Sequence, residues 1–248
     1  MATVSVRNVW KEYGPQVVLE NLRLEIADHE FVTIVGASGC GKTTFLKMLL
    51  GMEQPTRGQI LIDGNPIRPE PDPERGVVFQ RYSSFPHLTV LENVMLGLEL
   101  QRAPLLGKLF GAARRQARET ALAMLESVGL APARDKFPSQ LSGGMQQRLS
   151  IAQAVVCKPK ILLLDEPFGA LDPGVTADMH ALILKLWQEN RMTIFMVSHD
   201  LSESFTLGTR LLTFDRLRQD PQAPERFGAS VTYDLPLRRT APAMAPAA

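Results

Sequence analysis

The residues that could do chemistry begin at Gly36-Ala37-Ser38-Gly39-Cys40-Gly41-Lys42-Thr43. Glycines at this spacing let successive backbone N–H groups turn inward around an anion, and a helix opening at Lys42 would add its own partial positive charge. Lys42 supplies a point charge for β- and γ-phosphates, and the Thr43 hydroxyl is placed to ligate Mg²⁺. Two elements must position the loop. The apolar run Phe31-Val32-Thr33-Ile34-Val35 predicts a buried strand before it, and Thr44 to Leu50 predicts a helix after it, stopped at Gly51. Strand, glycine loop, Lys-Thr and helix make the phosphate-binding P-loop arrangement.

Further candidate residues fall at predicted strand tips. Lys160 to Leu164 reads as a strand covered on both faces and ends in Asp165-Glu166. Asp165 fits the Mg²⁺-associated carboxylate of a P-loop nucleotidase, and Glu166 is placed to polarise a water. Thr193 to Val197 is a second such strand, ending at Ser198-His199-Asp200, where His199 could donate to a γ-phosphate. His29, His87 and His180 have no such position and read as surface. Gln80 closes the strand Arg75–Phe79, where an α/β fold collects ligands. Its amide could meet Mg²⁺ or an attacking water, or be polar surface. Leu141-Ser142-Gly143-Gly144-Met145-Gln146-Gln147-Arg148 leads into an apolar helix. Ser142 can cap that helix while the glycines expose its free N–H groups. One phosphate site would not need two such loops, which points to a composite site. Tyr13 sits in a turn, where its ring could stack on a purine or cap a hairpin.

The totals bound the rest. The chain has 248 residues, a formal charge of +1 and 45% hydrophobic content, enough for one large core. The charge gives no support for bulk binding to nucleic acid. No run reaches the ~18–20 apolar residues of a membrane helix, and no signal peptide is visible at the N-terminus. Two cysteines, Cys40 and Cys157, argue against a disulfide framework. Short strands precede the P-loop (3–10, Val17–Leu19 and Leu22–Ile26), suggesting an antiparallel sheet added to an α/β core. From Thr89 to about Gly129 the pattern is helical, broken by the apolar linker Ala103–Gly111, which could pack on its own helices or face a membrane. Phe79, Phe85, Pro86 and Leu88 could form an apolar patch for a partner or belong to the core. The segment Ala241–Ala248 is Ala/Pro-rich and predicts disorder.

In this order the P-loop, Gln80, the octet Leu141–Arg148, Ile161–Glu166, Ala170-Leu171-Asp172 and Ser198-His199-Asp200 resemble the ATP-binding-cassette (ABC) ATPases, over about Val4 to Phe214. The octet is the most specific element, because other P-loop proteins lack it. The resemblance implies an α/β P-loop NTPase fold with an antiparallel β subdomain and an inserted helical subdomain at about 81–157. It makes 1–235 one domain and 236–248 a tail. It implies ATP and Mg²⁺ as cofactors. Tyr13 would stack on adenine. Gly36, Ser38, Lys42 and the amides of Gly39, Cys40, Gly41, Thr43 and Thr44 would hold phosphates. Thr43, Gln80 and Asp165 would serve Mg²⁺, Glu166 would be the general base and His199 the γ-phosphate switch residue. Ser142, Gly143, Gly144 and Gln146 would contact ATP held by a second copy, with Asp172 at the seam.

The resemblance further implies a homodimer on the cytoplasmic face of the inner membrane, bound to separate permease subunits and served by a periplasmic or extracellular solute-binding protein. The motifs look most like importers of the nitrate/sulfonate/taurine type, and Leu207–Arg210 through Tyr233–Leu237 is similar to versions tied to urea or guanidine utilisation. An exporter or lipid-transport ATPase, or a soluble ABC ATPase without a transport role, is the alternative. Cys40, at a helix N-terminus, is expected to be a reactive thiol that ATP protects.

Overall fold

The computed structural model describes residues 2–70, 72–80, 83–103, 107–169, 171–223 and 225–237. Strands β1 (Val4–Tyr13) and β2 (Gln16–Ile26) pair antiparallel. β3 (Phe31–Gly36) leads through the glycine loop into helix α1 (Lys42–Leu50). β4 (Arg57–Ile62) and β5 (Asn65–Pro66) complete a four-stranded sheet of order β2-β1-β4-β5. The next strand is β6 (Arg75–Val78), followed by helices α2 (Val90–Arg102), α3 (Gly111–Ser127) and α4 (Gly143–Val155). The chain continues through β7 (Ile161–Asp165), α5 (Pro173–Asn190), β8 (Thr193–Val197), α6 (Leu201–Leu207), β9 (Arg210–Asp215) and β10 (Ser230–Pro236). The second sheet has the order β10-β9-β3-β8-β7-β6, parallel except where β10 pairs with β9.

Burial on both faces explains the apolar central strands. Leu162, Leu164, Ile194 and Met196 point into a core shared with α2, α3, α4 and α5. Their neighbours Ile161, Leu163, Phe195 and Val197 point the other way, into a core with α1 and the antiparallel sheet. Alternation with period two therefore sends the apolar side chains of these strands into a core on either face. Full burial of each large one stabilises by about 1.5–3 kcal/mol. Parallel to β3, strands β7 and β8 end on the same side as the glycine loop, which is where an α/β sheet binds its ligands.

One expectation shifts. Val17–Leu19 and Leu22–Ile26 are one strand, interrupted by a backbone irregularity at Asn21 (φ 47°) instead of a turn. The last strand spans Ser230–Pro236. The Ala/Pro-rich segment lies outside the described residues. Among the described residues, no helix is long and apolar enough to cross a membrane.

The helices after β6 are anchored beside the site. Thr89 and Glu92 form a reciprocal cap on α2, and the Thr89 backbone and hydroxyl donors hold the Glu92 carboxyl below its usual range. Asn93, buried in α2, donates to the carbonyls of Phe85, Leu88 and Thr89 and accepts from Phe85 N–H. That one amide fixes the turn Phe85–Thr89; Phe85 and Pro86 are exposed, and Leu88, like Phe79 after β6, is half-buried.

Candidate active site

The glycine loop is shaped by contacts far away in sequence. A Cβ at Gly36 (φ 155°) would lie 2.2 Å from the carbonyl oxygen of Phe214 in β9. One at Gly41 (φ 90°) would lie 2.6 Å from Leu19 Cδ2 in β2. Both positions therefore exclude any side chain, and Gly41 also needs the left-handed region to start α1. Lys42 is buried under the loop, where Nζ donates to the carbonyls of Gly36 (2.6 Å) and Ala37 (3.0 Å). The Cys40 amide donates to Ala37 O at 3.3 Å, closing a turn inside the loop.

A cavity of about 230 Å³ opens on the loop. It is lined by Val18, Ser38, Gly39, Gly41, Lys42, Thr43 and Thr44 and, from the neighbouring strand tips, by Glu166 and His199. Val18 had no chemical signal in the sequence. It reaches the cavity because β2 crosses beside the loop.

The strand-tip residues bind one another. Thr43 Oγ1 donates to Asp165 Oδ1 at 3.3 Å, and Gln80 Nε2 donates to Glu166 Oε2 at 3.0 Å. His199 Nε2 contacts the other oxygen, Oε1. Glu166 itself sits at φ 50°, a conformation costing of the order of 1–3 kcal/mol for a non-glycine residue. Its N–H donates to Val197 O at 3.0 Å, which helps hold it there. Burial pushes the Asp165 carboxyl above its usual range, and the charge on Glu166 adds to this, while Thr43, Lys42 and Lys47 act in the opposite direction. A site of hydroxyl, amide and carboxylate oxygens around a buried anion suits Mg²⁺ completed by phosphates and water.

A stability test follows from that burial. The folded chain holds the Asp165 proton more readily than the unfolded chain, so this group's contribution falls as pH rises through its folded-state value. Asp165→Asn, studied without nucleotide or Mg²⁺, is expected to melt higher than wild type at pH 8, because the amide carries no charge to desolvate. The gap should shrink toward pH 4, while hydrolysis is lost at all pH values. An equal or lower melting temperature at pH 8 would contradict the account.

The remaining predicted residues lie apart. Tyr13 is partly exposed, with Lys11 Nζ 4.7 Å from its ring centroid. Lys11 is in turn paired with Glu53 at 2.7 Å. Partial burial and a hydrogen bond to Glu53 raise the Tyr13 pKa. Ser142 caps α4 by accepting from Met145 N–H at 3.4 Å. Ser142 and Gly143 are exposed, and Gly144 packs on α5, where a Cβ would lie 2.7 Å from Val175 Cγ1. Gln146 turns inward and donates to the carbonyls of Pro138 and Leu141. None of these four lines the glycine-loop cavity. Asp172 is exposed at the start of α5, and Ala170 lies outside the described residues.

Three readings need correction. Cys40 is 4% exposed and packs in the core beneath the loop, so its thiol is enclosed instead of presented to reagents. His29 is half-buried and stacks on Trp187 at 4.5 Å. His180 is half-buried too, edge-on to Phe168 at 4.9 Å. Of the three histidines read as surface, His87 alone is exposed.

A glycine loop between a parallel strand and its helix, with carboxylates at the adjacent strand tip, defines a P-loop nucleoside triphosphatase. Comparison with known proteins narrows the class. The ABC transporter family model matches residues 19–169, and the chain belongs to that family. It is 42% identical over 223 residues to the nitrate import ATP-binding protein NrtD of Synechocystis sp., covering 90% of this chain and 78% of that protein. Identity to the aliphatic sulfonates import ATP-binding protein SsuB 1 of Burkholderia cenocepacia is 39% over 248 residues, covering 98% and 68%. The dimeric structure of the ATP-binding cassette MJ0796, in a post-hydrolysis state bound to ADP and Pi, matches with a TM-score of 0.75 at 31% identity, covering 95% of this chain and 99% of that one. The site is accordingly that of an ABC ATPase, which binds and hydrolyses ATP.

Proposed function

We propose that this chain is the ATP-hydrolysing subunit of an importer, working as a homodimer to power uptake of a small polar solute through separate permease subunits. The observation that carries the catalytic part is Glu166, held at the cavity edge by Gln80 on one oxygen and His199 on the other. Uptake is supported by the relatives, which are named for the import of nitrate and of sulfonates.

The residues divide the work as follows. The loop amides and Lys42 bind the β- and γ-phosphates, Lys42 by leaving the carbonyls of Gly36 and Ala37 that it now contacts. Tyr13 offers a ring face to adenine. Thr43, Asp165 and Gln80 hold Mg²⁺, which when bound neutralises charge on the phosphate oxygens. Glu166 takes a proton from the attacking water. His199 turns from Glu166 to the γ-phosphate, which frees the carboxylate oxygen it occupies. Ser142 and Gly143, exposed and remote from the chain's own cavity, complete the cavity of a second copy together with Gly144 and Gln146. Two-fold closure then makes two such sites. The subunit sits peripherally on the cytoplasmic face of the membrane, and a solute-binding protein outside it selects the cargo.

Purification of the tagged Glu166→Gln chain from gently solubilised membranes of its own cell tests the transport role. Recovery of a polytopic permease is the expected result. Recovery from the soluble fraction alone, with ribosomal or DNA-bound partners, would overturn it.

A further inference from the structure

We propose that Glu203 is a positioning residue for hydrolysis, setting the turn that carries His199 and tying it to the turn that carries Glu166. The proposal rests on the roles given above to His199 and Glu166.

Glu203 lies in the first turn of α6, where an acidic side chain ordinarily faces water and gains from the helix N-terminus. Here it points inward, with its side chain 13% exposed. Desolvating a carboxylate is costly unless its oxygens are engaged, and a hydrogen bond engages Oε2. Ser198 Oγ, in a residue only 3% exposed, donates to Oε2. The same hydroxyl accepts from Asp200 N–H at 2.9 Å. The residues on either side of His199 are thus tied through one hydroxyl to one carboxylate oxygen, with the imidazole at the apex facing Glu166. The other oxygen, Oε1, lies 3.6 Å from His180 Nε2 on α5. The His180 ring meets Phe168 edge-on, and Phe168 is buried two residues after Glu166 in the turn where Gly169 N–H approaches Glu166 O.

The result is a continuous path of contacts from the His199 turn through Ser198, Glu203, His180 and Phe168 to the Glu166 turn. Its two ends are the two residues in direct contact at the cavity. A shift of about 1 Å between reacting groups can cost about a hundredfold in rate, so a carboxylate that fixes both turns acts on kcat. Glu203 touches neither the cavity nor the glycine loop, so it should not act on nucleotide affinity.

Steady-state ATP hydrolysis by the full chain tests this. Glu203→Ala is expected to lower kcat about 10- to 100-fold with KM for ATP within about twofold of wild type. Glu203→Gln should retain most of the activity, because its amide oxygen can still accept from Ser198, and it covers the case in which Glu203→Ala fails to fold. Added to His199→Ala, Glu203→Ala should cost less than about twofold more, since it acts through a side chain already absent. An equal fold loss in both backgrounds, or a loss confined to KM, would overturn the proposal alone. Wild-type hydrolysis by His199→Ala would instead overturn the role of His199 and the proposal with it.

Discussion

Glu166→Gln is expected to lower kcat for ATP hydrolysis by about 10²–10⁴-fold, the span for removing a positioned general base, while ATP affinity stays within a few-fold of wild type. The substitution keeps the volume, the positive-φ backbone and an oxygen able to accept from Gln80 Nε2. What it removes is the ability to take a proton from water. It also relieves a like charge beside Asp165, one of the causes that raise the Asp165 pKa, so Mg²⁺-dependent binding has no electrostatic reason to weaken. Single-turnover hydrolysis and equilibrium ATP binding, measured on the same preparation, separate the two effects. Slow chemistry with intact binding, and a dimer that persists with ATP, is the predicted outcome. A variant losing binding and hydrolysis together would mean that Glu166 holds the nucleotide or the loop. One hydrolysing normally would move the base elsewhere, and among the described residues no other carboxylate lines the cavity.

The central strands and their tips were legible because burial on both faces leaves an apolar run that ends abruptly where polar residues begin. Asp165, Glu166 and His199 each stand at such an end, so position alone marked them. Residues whose role depends on a distant partner were not legible. Nothing near Gly36 in sequence reveals that Phe214 O presses against it. Nothing near Cys40 shows that the second core closes over its thiol. Glu203 carries no signal in the sequence, and only the fold shows it turned toward Ser198 and His180. Asn21 broke the apolar pattern of β2 and suggested two strands, whereas the backbone absorbs it as a local irregularity within one. For Gly36 the missing information was which segment lies across the gap, set by packing between residues more than a hundred positions apart, whereas for Glu203 it was the direction in which a nearby turn points the side chain.

Mixing two disabled chains is expected to rebuild a working site that neither has alone. The geometry separates the two anion-binding ends. Lys42 and Thr43 line the cavity, while the exposed Ser142 and Gly143 begin a different helix that does not reach it. If each nucleotide lies between one chain's glycine loop and the other's octet, Lys42→Met destroys the first half-site and Ser142→Arg the second. In the Glu166→Gln background, so that bound ATP is retained, each variant alone should occlude no ATP. In an equal mixture about half of the dimers pair one variant with the other, and each of these has one intact composite site, giving about a quarter of the full occupancy. Counting radiolabelled ATP on dimers separated by size gives that number directly. Full occupancy from Ser142→Arg alone would show that the octet is dispensable to binding. No recovery from a mixture proven to contain mixed dimers would show that each chain completes its own site, which would require α4 to swing toward β3 and would remove the reason for dimerisation on ATP.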